Sequence, residues 1–88
     1  MADTGDLGHR NRLRQRFLAG EAESFNDETL LELLLTFAID RKDVKPLSRR
    51  LIQNFGGLTN VLSAPPDEIL KIKGLGQSSV TLLHLVQY

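Results

Sequence analysis

The chain has 88 residues, with eleven Lys and Arg against eleven Asp and Glu and no cysteine. A chain this short has room for one domain with one modest core, and the lack of cysteine excludes disulfides, thiolate metal sites and thiol nucleophiles. No apolar run of about 18 residues and no signal-peptide pattern occur, so the composition favours a cytoplasmic protein that neither spans a membrane nor is secreted.

The charged residues are unevenly distributed along the chain. Residues 7–20 carry four arginines and no acid, whereas residues 21–43 carry seven acids and two basic residues. Residues 44–88 are basic again, with five Lys and Arg against two acids. Two basic segments therefore flank an acidic one. This allows a local surface that attracts phosphate without a large overall field, and it predicts weak, salt-sensitive affinity for a polyanion.

We predict a flexible tail over residues 1–8, which have almost nothing apolar to bury, and then a first helix. Residues 9–19 place Leu13 and Phe17 on one helical face. Gly20 is available to end this helix. Its four arginines are secondary candidates for phosphate contacts and lie on two ridges, Arg10 with Arg14 and Arg12 with Arg16. Pairing of these arginines with nearby acids on a solvated helix is an equally good interpretation.

The second predicted helix is the most apolar segment of the chain. Asn26 or Asp27 can cap it, and the residues that follow are apolar nearly all round. They are Leu30, Leu31, Leu33, Leu34, Leu35, Phe37, Ala38 and Ile39. We therefore place this helix at the centre of the domain and expect Leu35 and Phe37 to be buried. Residues 40–43 are predicted to form a short charged turn.

Three further helices are predicted between this turn and residue 72. The third helix has Asp43 as a candidate cap and Pro46 in its first turn, where a missing amide costs little. Its expected buried residues are Leu47, Leu51, Ile52 and Phe55, its expected exposed residues are Arg49 and Arg50, and its expected end is Gly56-Gly57. A short fourth helix is predicted around residues 58–62, and Pro66 suits the first position of a fifth.

The segment 69–83 contains two short helical patterns joined by the tight turn Gly74-Leu75-Gly76. Its apolar residues are three positions apart on each flank, with Ile69 and Ile72 before the turn and Val80 and Leu83 after it. Glycines at 74 and 76 permit positive φ and close approach of another molecule, while Leu75 can turn inward between the helices. The sixth helix then begins at or just after Gly76. Its first amides and its dipole favour an anion such as a phosphate oxygen.

This hairpin is the predicted nucleic-acid-binding site. The residues assigned to it are Lys71, Lys73, Gly74, Leu75, Gly76, Gln77, Ser78 and Ser79. Backbone amides of residues 76–79 would hold a phosphate, the two lysines would add positive charge, and the two serine hydroxyls would add hydrogen bonds. No aromatic, Asn or Gln array is placed to read base edges, so binding is expected to be independent of sequence. A tight turn in a small bundle with nothing bound is the alternative interpretation.

The hairpin pattern, apolar-x-x-apolar-x-Gly-apolar-Gly-x-x-x-apolar-x-x-apolar, resembles the helix-hairpin-helix motif of DNA-repair and recombination proteins. Three further landmarks precede it in order: Gly8-His-Arg-Asn-Arg-Leu-Arg-Gln-Arg-Phe17, Leu30-Leu-Glu-Leu-Leu-Leu35 and Asp43-Val-Lys-Pro-Leu47. Together the four landmarks resemble the N-terminal region of the bacterial RadC-like family. This resemblance implies a tandem helix-hairpin-helix domain over residues 9–88. The first hairpin, at residues 40–43, is degenerate because it lacks Gly-apolar-Gly.

In that family the region precedes a JAB/MPN-type domain with a His-x-His…Asp zinc site, which these 88 residues do not supply. His9 and His84 are the only histidines, and no Ser/His/Asp arrangement, phosphate loop or carboxylate cluster occurs. We therefore expect no catalytic activity, metal or cofactor in this chain. It reaches Tyr88 without a helix terminator and looks like a piece of a longer protein. Pro65 stands where family members often have a serine cap, so the fifth helix is expected to lack a side-chain cap.

Two functions stay open at this point. The first is a non-sequence-specific DNA-binding module of a RadC-like, DNA-repair-associated protein, which contacts backbone phosphate through the second hairpin. The second is a protein-interaction module that docks the C-terminal JAB/MPN domain of the full-length protein, with the acidic segment 21–43 as its surface. For both we predict an all-α fold, a small bundle of five to six short helices.

Overall fold

The computed structural model describes residues 6–40 and 43–88, with side chains from Gly8 onward. In these residues six α-helices and one 3-10 helix follow one another, without a strand. They are α1 (Asp6–Leu18), the 3-10 helix (Ala22–Ser24), α2 (Asp27–Leu35), α3 (Lys45–Phe55), α4 (Leu58–Ser63), α5 (Pro66–Leu70) and α6 (Gln77–Gln87). The predicted all-α bundle of short helices is confirmed. Residues 1–5 of the predicted tail, and Arg41 and Lys42 of the predicted turn, lie outside the described residues.

Several helix ends follow local signals in the sequence. The Asn26 Oδ1 atom accepts a hydrogen bond from the Thr29 amide at 2.8 Å, which caps α2 as predicted. Asp43, the predicted cap of α3, lies one residue before the N-cap Val44, and its Oδ1 atom accepts a hydrogen bond from the Lys45 amide at 3.1 Å. Gly56 follows α3 with φ of 97°, a left-handed conformation that glycine adopts without strain. These short-range contacts fix the boundaries of the two central helices.

The first helix begins earlier than predicted, at Asp6 instead of His9. Gly8 lies inside it. The helix tolerates this residue, since a glycine in a helix interior costs only about 1 kcal/mol relative to alanine. At the other end Gly20 has φ of 90° and terminates the helix as predicted. Pro65 precedes α5 without a side-chain cap, which also agrees with the prediction.

The main hydrophobic core lies between α2, α3, α4, α5 and α6. Among the described helices α2 packs against α1, α3, α4 and α6, and its contact with α3 is the most extensive, which confirms its central position. The buried side chains of this core are Leu31, Leu35, Val44, Leu51, Val61, Ala64, Ile69, Leu75, Val80 and Leu83. Packed against it and half-buried are the other predicted core residues of α3, Leu47, Ile52 and Phe55.

A smaller cluster attaches α1 to the outer side of α2. The buried apolar residues of this cluster are Leu13, Phe25 and Leu33. Polar contacts hold the same two helices together. The Arg10 guanidinium donates to the Thr36 carbonyl at 2.9 Å, and His9 Nε2 lies 2.7 Å from a Glu32 carboxylate oxygen. Thr36 directly follows α2, at the end where the helix dipole favours a cation.

The apolar residues of α2 lie on two faces, of which one is buried in the main core and the second, among the described residues, meets that core only through Leu34. Leu31 and Leu35 are fully buried there, whereas Phe37, just past the end of the helix, is 63% exposed. The prediction that Phe37 is buried is therefore wrong. The second face has the i, i+3, i+4, i+7 spacing of one helical stripe and consists of Leu30, Leu33, Leu34 and Phe37. A helix with two apolar faces is expected to be covered on both of them. The described helices leave part of this second stripe uncovered.

Candidate nucleic-acid interface

The segment between α5 and α6 is a tight hairpin anchored in the core. The Ile72 amide donates to the Ile69 carbonyl at 3.0 Å, and the Leu75 amide donates to the Ile72 carbonyl at 3.2 Å. Leu75 itself is 7% exposed and belongs to the main core, as predicted. Its burial fixes the position of the hairpin relative to both helices.

The two hairpin glycines have different roles. Gly74 has φ of 98°, and a Cβ atom there would lie 3.1 Å from the Cδ2 atom of Leu47 in α3. Gly76 has extended backbone, with φ of −126° and ψ of −167°, and a Cβ atom there would meet nothing within 4 Å. Only Gly74 therefore requires the conformational freedom that was expected of both glycines. Gly76 instead leaves open space where α6 begins.

The N-terminus of α6 contains amides that the helix itself does not bond. Gly76 is the N-cap residue and, as a glycine, has no side chain that could accept a hydrogen bond from the first turn. The Val80 amide donates to the Gly76 carbonyl at 3.1 Å. The amides before Val80 have no acceptor inside the helix. Gly76, Gln77 and Ser78 are exposed, so an anion can approach this end of α6.

Ser79 is buried, although its hydroxyl was expected to be part of the site. It is 2% exposed, because α6 packs this side against the core together with Val80 and Leu83. Its hydroxyl is therefore not presented to a ligand at the surface. Ser78 is exposed, and of the two serine side chains only this one belongs to the candidate site.

Lys71 and Lys73 lie on the approach to the hairpin, and both are exposed. The Lys71 Nζ atom donates to the Glu68 Oε2 atom at 3.2 Å, in a pair whose lysine side chain is 71% exposed. Exposed pairs of this kind contribute at most about 1 kcal/mol, so Lys71 can exchange its partner for a phosphate. Both lysines thus precede Gly76, the N-cap residue of α6, by five residues or fewer in the sequence.

The four arginines of α1 divide between the interior and the surface. Arg10 is 7% exposed, and its guanidinium is bonded to the backbone carbonyl that follows α2. The Arg14 guanidinium carbon lies 4.3 Å from the centroid of the Phe37 ring. The ridge formed by Arg10 and Arg14 therefore packs α1 against α2. This agrees with the predicted division of the four arginines into two ridges. Arg12 and Arg16 are exposed. The Arg16 Nε atom donates to the Glu21 Oε1 atom at 3.4 Å, so this arginine pairs with a nearby acid, as the alternative interpretation expected.

An apolar groove lies between α1, α2, α4 and α6, and sequence patterns did not indicate it. Its volume is about 520 Å³. Besides the second stripe of α2, it is lined by Arg14, Phe17, Leu18, Leu58, Leu62 and Val86. The signal that could have revealed it is the apolar surface of α2 nearly all round, since such a helix needs a covering partner on each face.

The two histidines of the chain lie in separate places. His9 contacts Glu32, whereas His84 Nε2 is 3.0 Å from the Ala64 carbonyl oxygen. Within residues 8–40 and 43–88, no three His, Cys, Asp or Glu side chains are grouped so that they could hold a metal ion. In the same part of the chain no helix has both the length and the apolar composition needed to cross a bilayer.

Comparison with known proteins gives a family and several relatives. The family described as UPF0758 N-terminal matches residues 5–81. UPF0758 protein FN0909 of Fusobacterium nucleatum subsp. nucleatum is 41% identical over 86 residues, which cover 98% of this chain and 37% of the relative. UPF0758 protein SPO0054 of Ruegeria pomeroyi is 44% identical over 79 residues, which cover 90% of this chain and 35% of the relative.

A third similar protein is the UPF0758 protein of Rhodobacter capsulatus, which is 48% identical over 75 residues, 85% of this chain and 35% of its own length. The chain therefore spans only about a third of the length of these curated relatives, 35–37% in each case. The family description places the matched part at the N-terminus. No solved structure matches the chain.

Proposed function

We propose that this chain, which belongs to the UPF0758 N-terminal family, binds the phosphate backbone of DNA without sequence specificity. The proposed contact surface is the second hairpin with the start of α6, residues 71–79. One arrangement carries the proposal. The N-terminus of α6 has no side-chain cap, is open at Gly76, and follows two exposed lysines.

The physical basis is the field at the end of α6. This helix is 11 residues long, so its aligned peptide dipoles give the N-terminus a partial positive charge. The amides that lack an acceptor inside the helix can donate to one phosphate oxygen or to two. Because Leu75 is buried in the core, the hairpin is already ordered, and binding loses little conformational entropy.

The same features predict weak and general binding. The chain carries no net charge, and few basic side chains flank the open helix end. We expect a dissociation constant on the order of 10⁻⁴ M or weaker near physiological salt, rising steeply with salt concentration. Contacts from backbone amides and lysines go to phosphates and carry no base information, so duplexes of different sequence should bind alike.

The resemblance to the RadC-like family supports a wider context for this module. We infer that it is the nucleic-acid-binding part of a longer, DNA-repair-associated bacterial protein whose remaining part is a JAB/MPN-type metal domain. Any metal chemistry of such a protein would belong to that other part. The role of this chain would be to hold the longer protein on a nucleic acid.

An amide chemical-shift titration with two short DNA duplexes of unrelated sequence tests the proposal. We expect shifts at residues 73–79 that saturate with one affinity, are the same for both duplexes, and shrink as salt is raised. Shifts confined to α1 would move the surface to Arg12 and Arg16. No shifts at low salt would rule out DNA binding by this chain and favour a docking function.

A further inference from the structure

Exposed apolar side chains converge on the groove between α1, α2, α4 and α6. Phe17 is 43% exposed, Leu18 84%, Phe37 63% and Val86 49%, and all four line it. Single exposed apolar residues are common on protein surfaces, whereas a contiguous apolar patch with a concave shape is typical of an interaction site. The groove lies outside residues 71–79, so its role is separate from the proposed contact with DNA.

The chemistry of the lining indicates the kind of occupant. Among the described residues that line the groove, Arg14 is the only polar one. Sites for polar small molecules need several polar groups that fix the orientation of the ligand, and this groove lacks them. An apolar stripe presented by one helix and bordered by others instead fits the apolar side chains of a polypeptide segment.

Arg14 lies at the edge of the groove, with its guanidinium held by residues that follow α2. Its Nη2 atom donates to the Thr36 Oγ1 atom at 3.3 Å, and its guanidinium lies over the Phe37 ring. Because the guanidinium already has these contacts and the groove wall is almost wholly apolar, an occupant of the groove is expected to contact it mainly through apolar side chains.

The relatives are longer than this chain, and their additional length indicates where in the polypeptide such a segment would lie. The chain covers 35–37% of each curated relative, and the family description places the matched part at the N-terminus, so we infer that most of the remaining two-thirds follows this domain in those proteins. Val86 lines the groove from the last turn of α6. A segment that follows α6 in the longer proteins is therefore tethered close to the groove. A tethered segment at this distance has a high effective concentration and needs little intrinsic affinity.

We propose that an apolar segment from the remaining two-thirds of the full-length family protein packs into this groove and fixes the two parts relative to each other. The acidic side chains of residues 21–43 would then lie beside the contact and not form it. This differs from the docking surface that the sequence suggested, because the second apolar stripe of α2 replaces the acidic residues as the surface of contact.

Protection of an introduced thiol tests the proposal, because the chain contains no cysteine. Leu18→Cys places a probe at a groove residue that is 84% exposed, so the substitution does not disturb the core. Val86→Cys is a second probe in the same groove. Gln53→Cys, at an exposed position of α3 that does not line the groove, is the matched control. The rate of maleimide labelling is measured in the 88-residue chain and in the full-length protein whose other cysteines are replaced by serine.

We expect labelling of the Leu18→Cys and Val86→Cys variants to slow by at least about tenfold in the full-length protein, and labelling of the Gln53→Cys variant to change by less than about twofold. Equal rates for the groove probes in both forms would overturn the proposal. Protection that appears already in the 88-residue chain and grows with its concentration would also overturn it, and would identify a second copy as the occupant. DNA is absent from these measurements, so their outcome is independent of the titration of the hairpin.

Discussion

The backbone of Gly74 lies against the side chain of Leu47: a Cβ atom at Gly74 would stand 3.1 Å from Leu47 Cδ2 and 3.3 Å from Leu47 Cδ1. Leu47 belongs to α3, so this contact joins the hairpin to the central helix pair α2 and α3. Gly74 also has φ of 98°. The position is therefore restricted both by backbone conformation and by space, which holds the open end of α6 in a fixed place.

The first prediction compares the two hairpin glycines. We expect Gly74→Ala to lower the free energy of unfolding by roughly 1–3 kcal/mol, because alanine is strained at this φ and its methyl group would press on Leu47. Gly76→Ala is the matched control and should change it by less than about 1 kcal/mol, since the backbone there is extended. Urea denaturation followed by circular dichroism gives both values. Equal losses for the two variants would contradict the roles assigned to them.

The second prediction separates the two faces of α2. Leu35→Ala should lower the free energy of unfolding by roughly 2–5 kcal/mol, because it leaves a cavity in the main core. Phe37→Ala should cost less than about 1 kcal/mol, since the ring is mostly exposed and its main interaction is with the Arg14 guanidinium. Both values come from the same denaturation experiment. A decrease of more than about 2 kcal/mol for Phe37→Ala would mean that the groove is closed in solution.

The helices could be predicted because their signals are local. Asn26 caps α2 through an amide three residues away, and Gly56 ends α3 through its own backbone conformation. Pro66 begins α5 at a position where no amide hydrogen bond is needed. In the hairpin, the burial of Leu75 followed from the spacing of its apolar neighbours. Each of these features depends on a few consecutive residues and is independent of how distant segments pack.

The misplaced side chains all depend on contacts between distant segments. The pattern of α2 showed apolar residues all round but not which helix covers each face, so Phe37 was expected in the core. Arg10 was expected at the surface, yet it is buried by pairing with a carbonyl 26 residues further along the chain. Periodicity separated the arginines into two ridges without telling which ridge faces α2. The groove depends in the same way on how four helices that are distant in sequence pack against one another.

The third prediction concerns a cap formed between helices. The Asp27 Oδ2 atom accepts a hydrogen bond from the Leu58 amide at 2.9 Å, so the first turn of α2 caps the start of α4, 31 residues away. We expect Asp27→Ala to lower the free energy of unfolding by about 0.5–2 kcal/mol. Asp67→Ala, which removes an exposed first-turn acid of α5, should cost at most about 0.5 kcal/mol. A decrease for Asp27→Ala no larger than that of this control would show that the bond between the helices does not stabilise the fold.

The fourth prediction places the DNA-binding surface. The double variant Lys71→Gln with Lys73→Gln removes two positive charges beside the open end of α6. We expect its dissociation constant for duplex DNA to rise by at least about tenfold at low salt, and the slope of log affinity against log salt to become less steep by about 0.9 for each phosphate that is no longer neutralised. The fold should be unaffected because both lysines are exposed. Fluorescence anisotropy with a labelled duplex over a series of salt concentrations measures both quantities.

The double variant Arg12→Gln with Arg16→Gln removes the same charge from the exposed ridge of α1 and is the matched control. Because Arg16 also lies 4.7 Å above the Phe25 ring centroid, thermal unfolding must first show that this variant is folded. Its dissociation constant should rise by less than about threefold. The two double variants have the same net charge, so a difference in affinity or salt slope reports where the phosphates lie and not the overall field. Equal weakening would mean that binding depends on net charge alone, and stronger weakening in the arginine variant would place the DNA on α1.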